Sequence, residues 1–127
     1  MQFASGQSIY LQISDYMAEK ILRGDWGEGD RIPSVREMAV QVEVNPNTVQ
    51  RSYAVLQDEG VIFNQRGIGY FVAEGGREAT AAMKRREFIR EELPRVFRTM
   101  QLLGMSFDEL AELHEQYRKE ERSETDN

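Results

Sequence analysis

The sequence predicts a mainly α-helical protein with one small β-hairpin. Three observations carry this. Apolar residues recur at spacings of three and four along most of the chain. Two capping boxes, "SVRE" and "SFDE", mark helix starts. A single stretch, "VIFNQRGIGYFV", is dense in β-branched and aromatic residues around a Gly-x-Gly.

Composition narrows the classes. The 127 residues suffice for one domain, or for a small domain with an appendage. Hydrophobic content of 40% and charged content of 30% form an ordinary soluble profile. No apolar run approaches the roughly 20 residues needed to span a bilayer. The start "MQFASGQSIY" lacks a basic segment followed by an apolar one, so the expected location is the cytoplasm. Cysteine is absent, which excludes disulfides and thiolate metal sites. A single histidine, His114, rules out histidine-pair metal sites and most histidine-based catalytic arrays within one chain. No phosphate-loop pattern is present, and the carboxylates scatter along polar faces. No enzyme, no cofactor and no metal are therefore expected.

The elements follow in order. Residues 8–23 read as an amphipathic helix, with Ile9, Ile13, Tyr16, Met17, Ile21 and Leu22 on its apolar side. Ser8 suits its N-cap and Gly24 its stop. "GDWGEGDRIP" reads as a turn-forming connection. Ser34 then caps a short helix that ends near Glu43, with Glu37 reaching back to close the box. Asn45 caps a third helix with Pro46 at its first position, where the missing N–H costs nothing. Gly60 ends that helix, and the hairpin follows with its tip between Gln65 and Gly69. "AEGGRE" marks the expected boundary between residues 1–76 and 77–127.

Beyond it, a second helix-forming region runs to about residue 103. Ile89, Leu93, Val96, Met100 and Leu103 make a heptad-like seam, with Phe97 beside it. Pro94 predicts a kink or break there and disfavours an α conformation at Leu93. Ser106 starts a last helix whose apolar side carries Phe107, Leu110, Leu113 and Tyr117. The polar tail from Glu120 is expected to fray.

Helix, short helix, tight turn "VEVN", helix, hairpin is the order of a winged helix-turn-helix. Its third helix would lie in the major groove of double-stranded DNA. Charge argues the other way at first. The formal net charge is -6, and residues 1–76 hold 6 basic against 10 acidic side chains. DNA binding must then rest on placement. A helix N-terminus attracts phosphate through open N–H groups and a partial positive charge. Asn45, Asn47 and Thr48 add small polar groups there, with Gln50 and Arg51 one turn deeper. Arg36 and Arg66 complete a basic rim.

The segment over residues 10–72 resembles the DNA-binding domain of GntR-family bacterial transcription regulators. The resemblance rests on "IYLQI", "GDWGEGDRIPSVREMA", "VNPNTVQRSYAVLQDEG" and "RGIGYFV", in that order. The short remainder, with "LLGMSFDEL" between two helices, is similar to the YtrA-type subfamily. The resemblance implies a homodimer that binds a roughly palindromic operator and usually represses. It implies DNA contacts from Arg36, from Asn45, Asn47 and Thr48, and from Arg66 and Gly67 in the wing. Many members carry arginine where this chain has Pro46, and some where it has Gln50. The Pro-Asn version occurs within the YtrA-type group.

About fifty residues follow the wing, too few to enclose a metabolite pocket alone. They suit a dimer interface, with Ile89, Leu93, Val96, Phe97, Met100, Leu103, Leu110, Leu113 and Tyr117 as its residues. The same seam could instead be intramolecular core. Arg51 reads equally as a DNA contact or a surface arginine. "KRRE", from Lys84 to Glu87, reads as a solvated face, Trp26 as a packing residue, and His114 as partner packing. The alternative function is a winged-helix module for protein contact without DNA binding. Any effector small molecule, the operator sequence and the regulated genes are not legible in the sequence.

Overall fold

The computed structural model describes residues 7–126. By packing, the chain divides into two compact units, Met1–Arg85 and Arg86–Asn127.

The first unit holds three helices, a hairpin and the start of a fourth helix. Helix α1 spans Ile9–Leu22, α2 spans Val35–Val42 and α3 spans Pro46–Asp58. Strands β1, Ile62–Gln65, and β2, Gly69–Val72, pair antiparallel with Ile62 opposite Val72 and Gln65 opposite Gly69. Apolar residues at three- and four-residue spacing close one core: Ile13, Met17 and Ile21 from α1, Met38 from α2, Tyr53 and Leu56 from α3. Val61, Ile62 and Val72 close it from the hairpin side. Ser8 takes the N-cap position of α1 without a side-chain bond, and the chain leaves the helix at Gly24 with φ of 86°.

Residues 29–32 are more than a connection. Ile32 N–H donates to the Tyr70 carbonyl at 3.0 Å, and Val72 N–H donates to the Asp30 carbonyl at 2.9 Å. Arg31 and Phe71 form an antiparallel bridge, so the hairpin gains a short third partner on its β2 edge. One signal for this was present. Ile32 precedes Pro33, and a residue before proline favours extended backbone.

The turn between α2 and α3 reverses the chain at Glu43, which is left-handed at φ 57° and ψ 50°. Val44 N–H bonds to the Ala39 carbonyl and Glu43 N–H to the Val40 carbonyl, a Schellman closure. Left-handed backbone costs an ordinary L-residue roughly 1–2 kcal/mol. Glu43→Val is therefore expected to lower the unfolding free energy by about 1 kcal/mol, since β-branching tolerates this backbone least. Glu43→Gly should hold or raise it. Urea denaturation of both variants checks the pair.

Helix α4 spans Gly76–Glu87. Composition placed a boundary after Gly76, but packing places the division at Arg85. The cause is burial. Thr80 and Met83 sit in the core of the first unit, Arg77 donates to the Leu22 carbonyl at 3.0 Å, and Lys84 pairs with Asp15 at 2.8 Å.

A π-helical turn, Phe88–Glu92, follows α4 and leads directly into α5, Leu93–Leu103. Pro94 explains it. Proline has no N–H for the carbonyl four residues back and its ring crowds that carbonyl. The chain widens instead, and Leu93 N–H reaches the Phe88 carbonyl, five residues back. The expected kink is thus a bulge, and Leu93 keeps α backbone at φ -58° and ψ -42°. Ile89 lies inside the wide turn, so the regular seam begins at Leu93 rather than at Ile89.

In the second unit, α6 spans Phe107–Asp126 after a left-handed Gly104. Ser106 Oγ accepts from Glu109 N–H at 3.1 Å, which fixes its start. The tail expected to fray from Glu120 stays helical through Asp126. Tyr117 bonds to Glu121, and the Thr125 hydroxyl bonds to the Glu121 carbonyl. No residue of α5 is buried. Ile89, Val96, Phe97, Leu103, Leu113 and Tyr117 are exposed, while Leu93, Met100 and Leu110 are half-buried. Within one chain the seam is not an intramolecular core.

Among the described residues, no helix is long and apolar enough to cross a membrane. No group of three or more possible metal ligands occurs among them either.

Candidate nucleic-acid interface

Helix α3 buries Val49, Ser52, Tyr53 and Leu56. That face fixes the opposite one, where Asn47, Gln50 and Arg51 are exposed. Tyr53 sets the helix in place. Its hydroxyl donates to the Pro33 carbonyl at 2.5 Å, and its ring meets Tyr70 edge-on at 4.9 Å. Burial pushes the Tyr53 hydroxyl well above its ordinary pKa, so it remains a donor. Ser52 ties α3 to α1 by donating to the Tyr10 carbonyl at 2.6 Å.

The start of α3 differs from the sequence expectation in one respect. Pro46 has no N–H. Asn47 N–H donates to Asn45 Oδ1 at 2.8 Å, and Thr48 and Val49 N–H both donate to the Asn45 carbonyl. The amides expected to cradle phosphate are all engaged by Asn45. What remains is the partial positive charge of the helix end and the side chains themselves. Asn45 keeps its side-chain NH2 as a donor, Asn47 is exposed, and Thr48 is half-buried.

Three further groups belong to the same unit. Arg36 is exposed within the capped first turn of α2, between Ser34 and Glu37. Both halves of that capping box are present: Ser34 Oγ accepts from Glu37 N–H, and Glu37 accepts from Ser34 N–H. The Glu37 carboxyl is held below its ordinary range, first by the Ser34 N–H, then by its hydroxyl, with a smaller contribution from Arg31. Arg66 and Gly67 form the exposed tip of the hairpin, where Gly67 takes φ of 78° and Ile68 N–H closes the turn on the Gln65 carbonyl. Gln50 reaches the hairpin as well, through a 3.4 Å contact from its Nε2 to the Tyr70 hydroxyl.

Arg51 is placed differently. Its guanidinium lies 4.0 Å from the centre of the Tyr10 ring, a cation–π contact that holds it against α1. Tyr10 and Tyr70 were not anticipated as neighbours of this surface. Both contacts join residues far apart in sequence, and spacing along one helix cannot reveal them.

The family model for "Bacterial regulatory proteins, gntR family" matches residues 9–72, the whole of α1 to β2. The chain belongs to the GntR family. It is 40% identical over 111 residues to YhcF, an HTH-type transcriptional regulator of Bacillus subtilis (strain 168), covering 87% of this chain and 90% of that protein. It is 37% identical over 111 residues to the HTH-type transcriptional repressor YtrA of the same organism, covering 87% and 82%. A crystal structure of a GntR-family protein from Bacteroides thetaiotaomicron is 42% identical, with a TM-score of 0.75, covering 90% of this chain and 99% of that one. These matches extend past the wing into the second unit, as expected of a YtrA-type chain. The GntR-family member described here is a transcriptional regulator with a winged helix-turn-helix DNA-binding domain. The family consists of regulators rather than enzymes.

Proposed function

We propose that the protein is a cytoplasmic repressor that binds a roughly palindromic double-stranded DNA operator as a homodimer. One observation carries the reading. A polar helix start is exposed on α3 in the same unit as an exposed Arg36 and an exposed wing tip. Asn45, Asn47, Thr48 and Gln50 would face base edges and phosphates in the major groove. Arg36 would contact the backbone beside them, and Arg66 and Gly67 would reach the adjacent groove. Arg51 would contribute after leaving Tyr10, or act only as packing.

The dimer reading is supported by the second unit. Val96, Phe97, Leu103, Leu113 and Tyr117 expose apolar surface that a single chain does not cover. Residues 86–127 would supply the interface, with Leu93, Met100, Leu110 and Ile89 completing it. Two α3 helices would then stand about 34–36 Å apart, one DNA turn. Repression as the sign of regulation is supported by the repressor YtrA among the relatives.

Arg36→Ala is expected to weaken operator binding by about 1–3 kcal/mol and to reduce the salt slope by about 1. Fluorescence anisotropy across a salt series measures both. A salt slope and affinity equal to those of the unmodified protein would remove Arg36 from the interface.

A further inference from the structure

Arg31 has no part in the DNA contacts proposed above, yet its side chain is fixed at the wing. Its Nη2 donates to the Ile68 carbonyl at 2.7 Å. A Cβ placed on Gly69 would lie 2.9 Å from Arg31 Nε, 3.2 Å from Nη2 and 3.4 Å from Cζ. Three atoms of one flat group at nearly equal distance mean that the guanidinium lies against the glycine. A side chain at position 69 would displace the guanidinium, and Gly69 also takes φ of 151°, where an L-residue is strained in its own right. The Arg31 backbone is fixed too, by its bridge to Phe71 and by the bonds that Ile32 and Val72 make on either side. The arginine thus grips the hairpin twice, once through the backbone beside β2 and once through the side chain at the tip.

The tip needs such a grip. Two short strands alone form a marginal hairpin in water. The turn itself is closed by the bond from Ile68 N–H to the Gln65 carbonyl. Arg66 and Gly67 occupy its two central positions. The same arginine is near enough to Glu37 for its charge to lower that carboxyl. Glu37 belongs to the start of α2, the element that carries Arg36. A lysine could donate one bond to Ile68 but could not lie flat on Gly69.

We propose that Arg31 is a positioning residue of the wing: seated on Gly69 and bonded to the Ile68 carbonyl, it holds Arg66 and Gly67 where they meet DNA. The proposal rests on the regulator reading above for its DNA consequence, but not for its structural one.

The test uses the full chain and operator DNA chosen by selection from a random library. Arg31→Ala, Arg31→Lys, Arg66→Ala and the Arg31→Ala/Arg66→Ala pair are compared for affinity, salt slope and amide hydrogen exchange over residues 64–69. Arg31→Ala is expected to weaken binding about tenfold, as Arg66→Ala does. The pair should be no weaker than Arg66→Ala alone, with the same salt slope. Arg31→Lys should recover only part of the loss. Exchange at the tip should quicken in both Arg31 variants without DNA present. Additive losses with a further drop in salt slope would overturn the proposal, because Arg31 would then touch phosphate itself. Unchanged exchange at the tip would also overturn it. If the unmodified protein binds no DNA, the regulator reading fails while the exchange arm still decides the positioning claim.

Discussion

A chain ending at Arg85 is expected to be folded, monomeric and at least about a hundredfold weaker on its operator. The first unit carries its own core, which includes Thr80 and Met83 of α4. Removing residues 86–127 leaves those side chains in place. It removes every exposed apolar residue proposed for the dimer interface. Two linked half-site contacts exceed one by about 10²–10⁴ in affinity, so their uncoupling is costly. Sedimentation velocity and anisotropy on the same operator measure the two effects. A truncated chain that stays dimeric would contradict the assignment of the interface to the second unit. Cutting after Gly76 is a poorer experiment. It strips Thr80 and Met83 from the core and confounds unfolding with loss of dimerisation.

Gly76→Ala is expected to destabilise the first unit by about 1–3 kcal/mol, although alanine is the better helix former. Gly76 is buried where α4 meets the hairpin. A Cβ there would lie 2.7 Å from the Val61 carbonyl oxygen and 2.9 Å from Val72 Cγ1. The carbonyl is not a mobile side-chain end. It accepts the Ala73 N–H at 3.0 Å and cannot retreat without loosening that bond. Glu78→Ala, at an exposed position two residues later, should change stability by less than about 0.5 kcal/mol. Urea denaturation of the two variants separates close packing from helix propensity. Operator affinity of Gly76→Ala at low temperature should stay near that of the unmodified protein, since α3 and the wing tip keep their side chains.

The parts legible in the sequence were those set by local chemistry. Capping residues fixed the starts of α2, α3 and α6, because Ser34, Asn45 and Ser106 bond within three residues of themselves. Binary pattern fixed the core face of α3, and with it the outward placement of Asn47 and Gln50. The parts that escaped depend on partners distant in the chain. Arg31 looks like a loop residue until β2 is placed beside it. Arg51 looks like a candidate DNA contact until the Tyr10 ring is seen beneath it. The engaged amides at the α3 start are an intermediate case. Asn45 caps the helix and Pro46 is its first residue, and together they leave no open N–H in the first turn. Following each donor to its partner would have shown this from the capping pattern itself. The π turn is a similar case. Pro94 predicted a disturbance in its helix, but whether a chain kinks or widens depends on packing around it.

On the proposed reading, placement would carry the acidic chain to DNA, through polar side chains on a capped helix start and the single arginines Arg36 and Arg66. The most direct test is selection of bound fragments from a random DNA library, followed by sequencing. The account predicts two inverted half-sites whose centres lie one helical turn apart, lost together when Asn47 and Arg36 are replaced by alanine. Enrichment of a single half-site, of direct repeats, or of no sequence at all would contradict it.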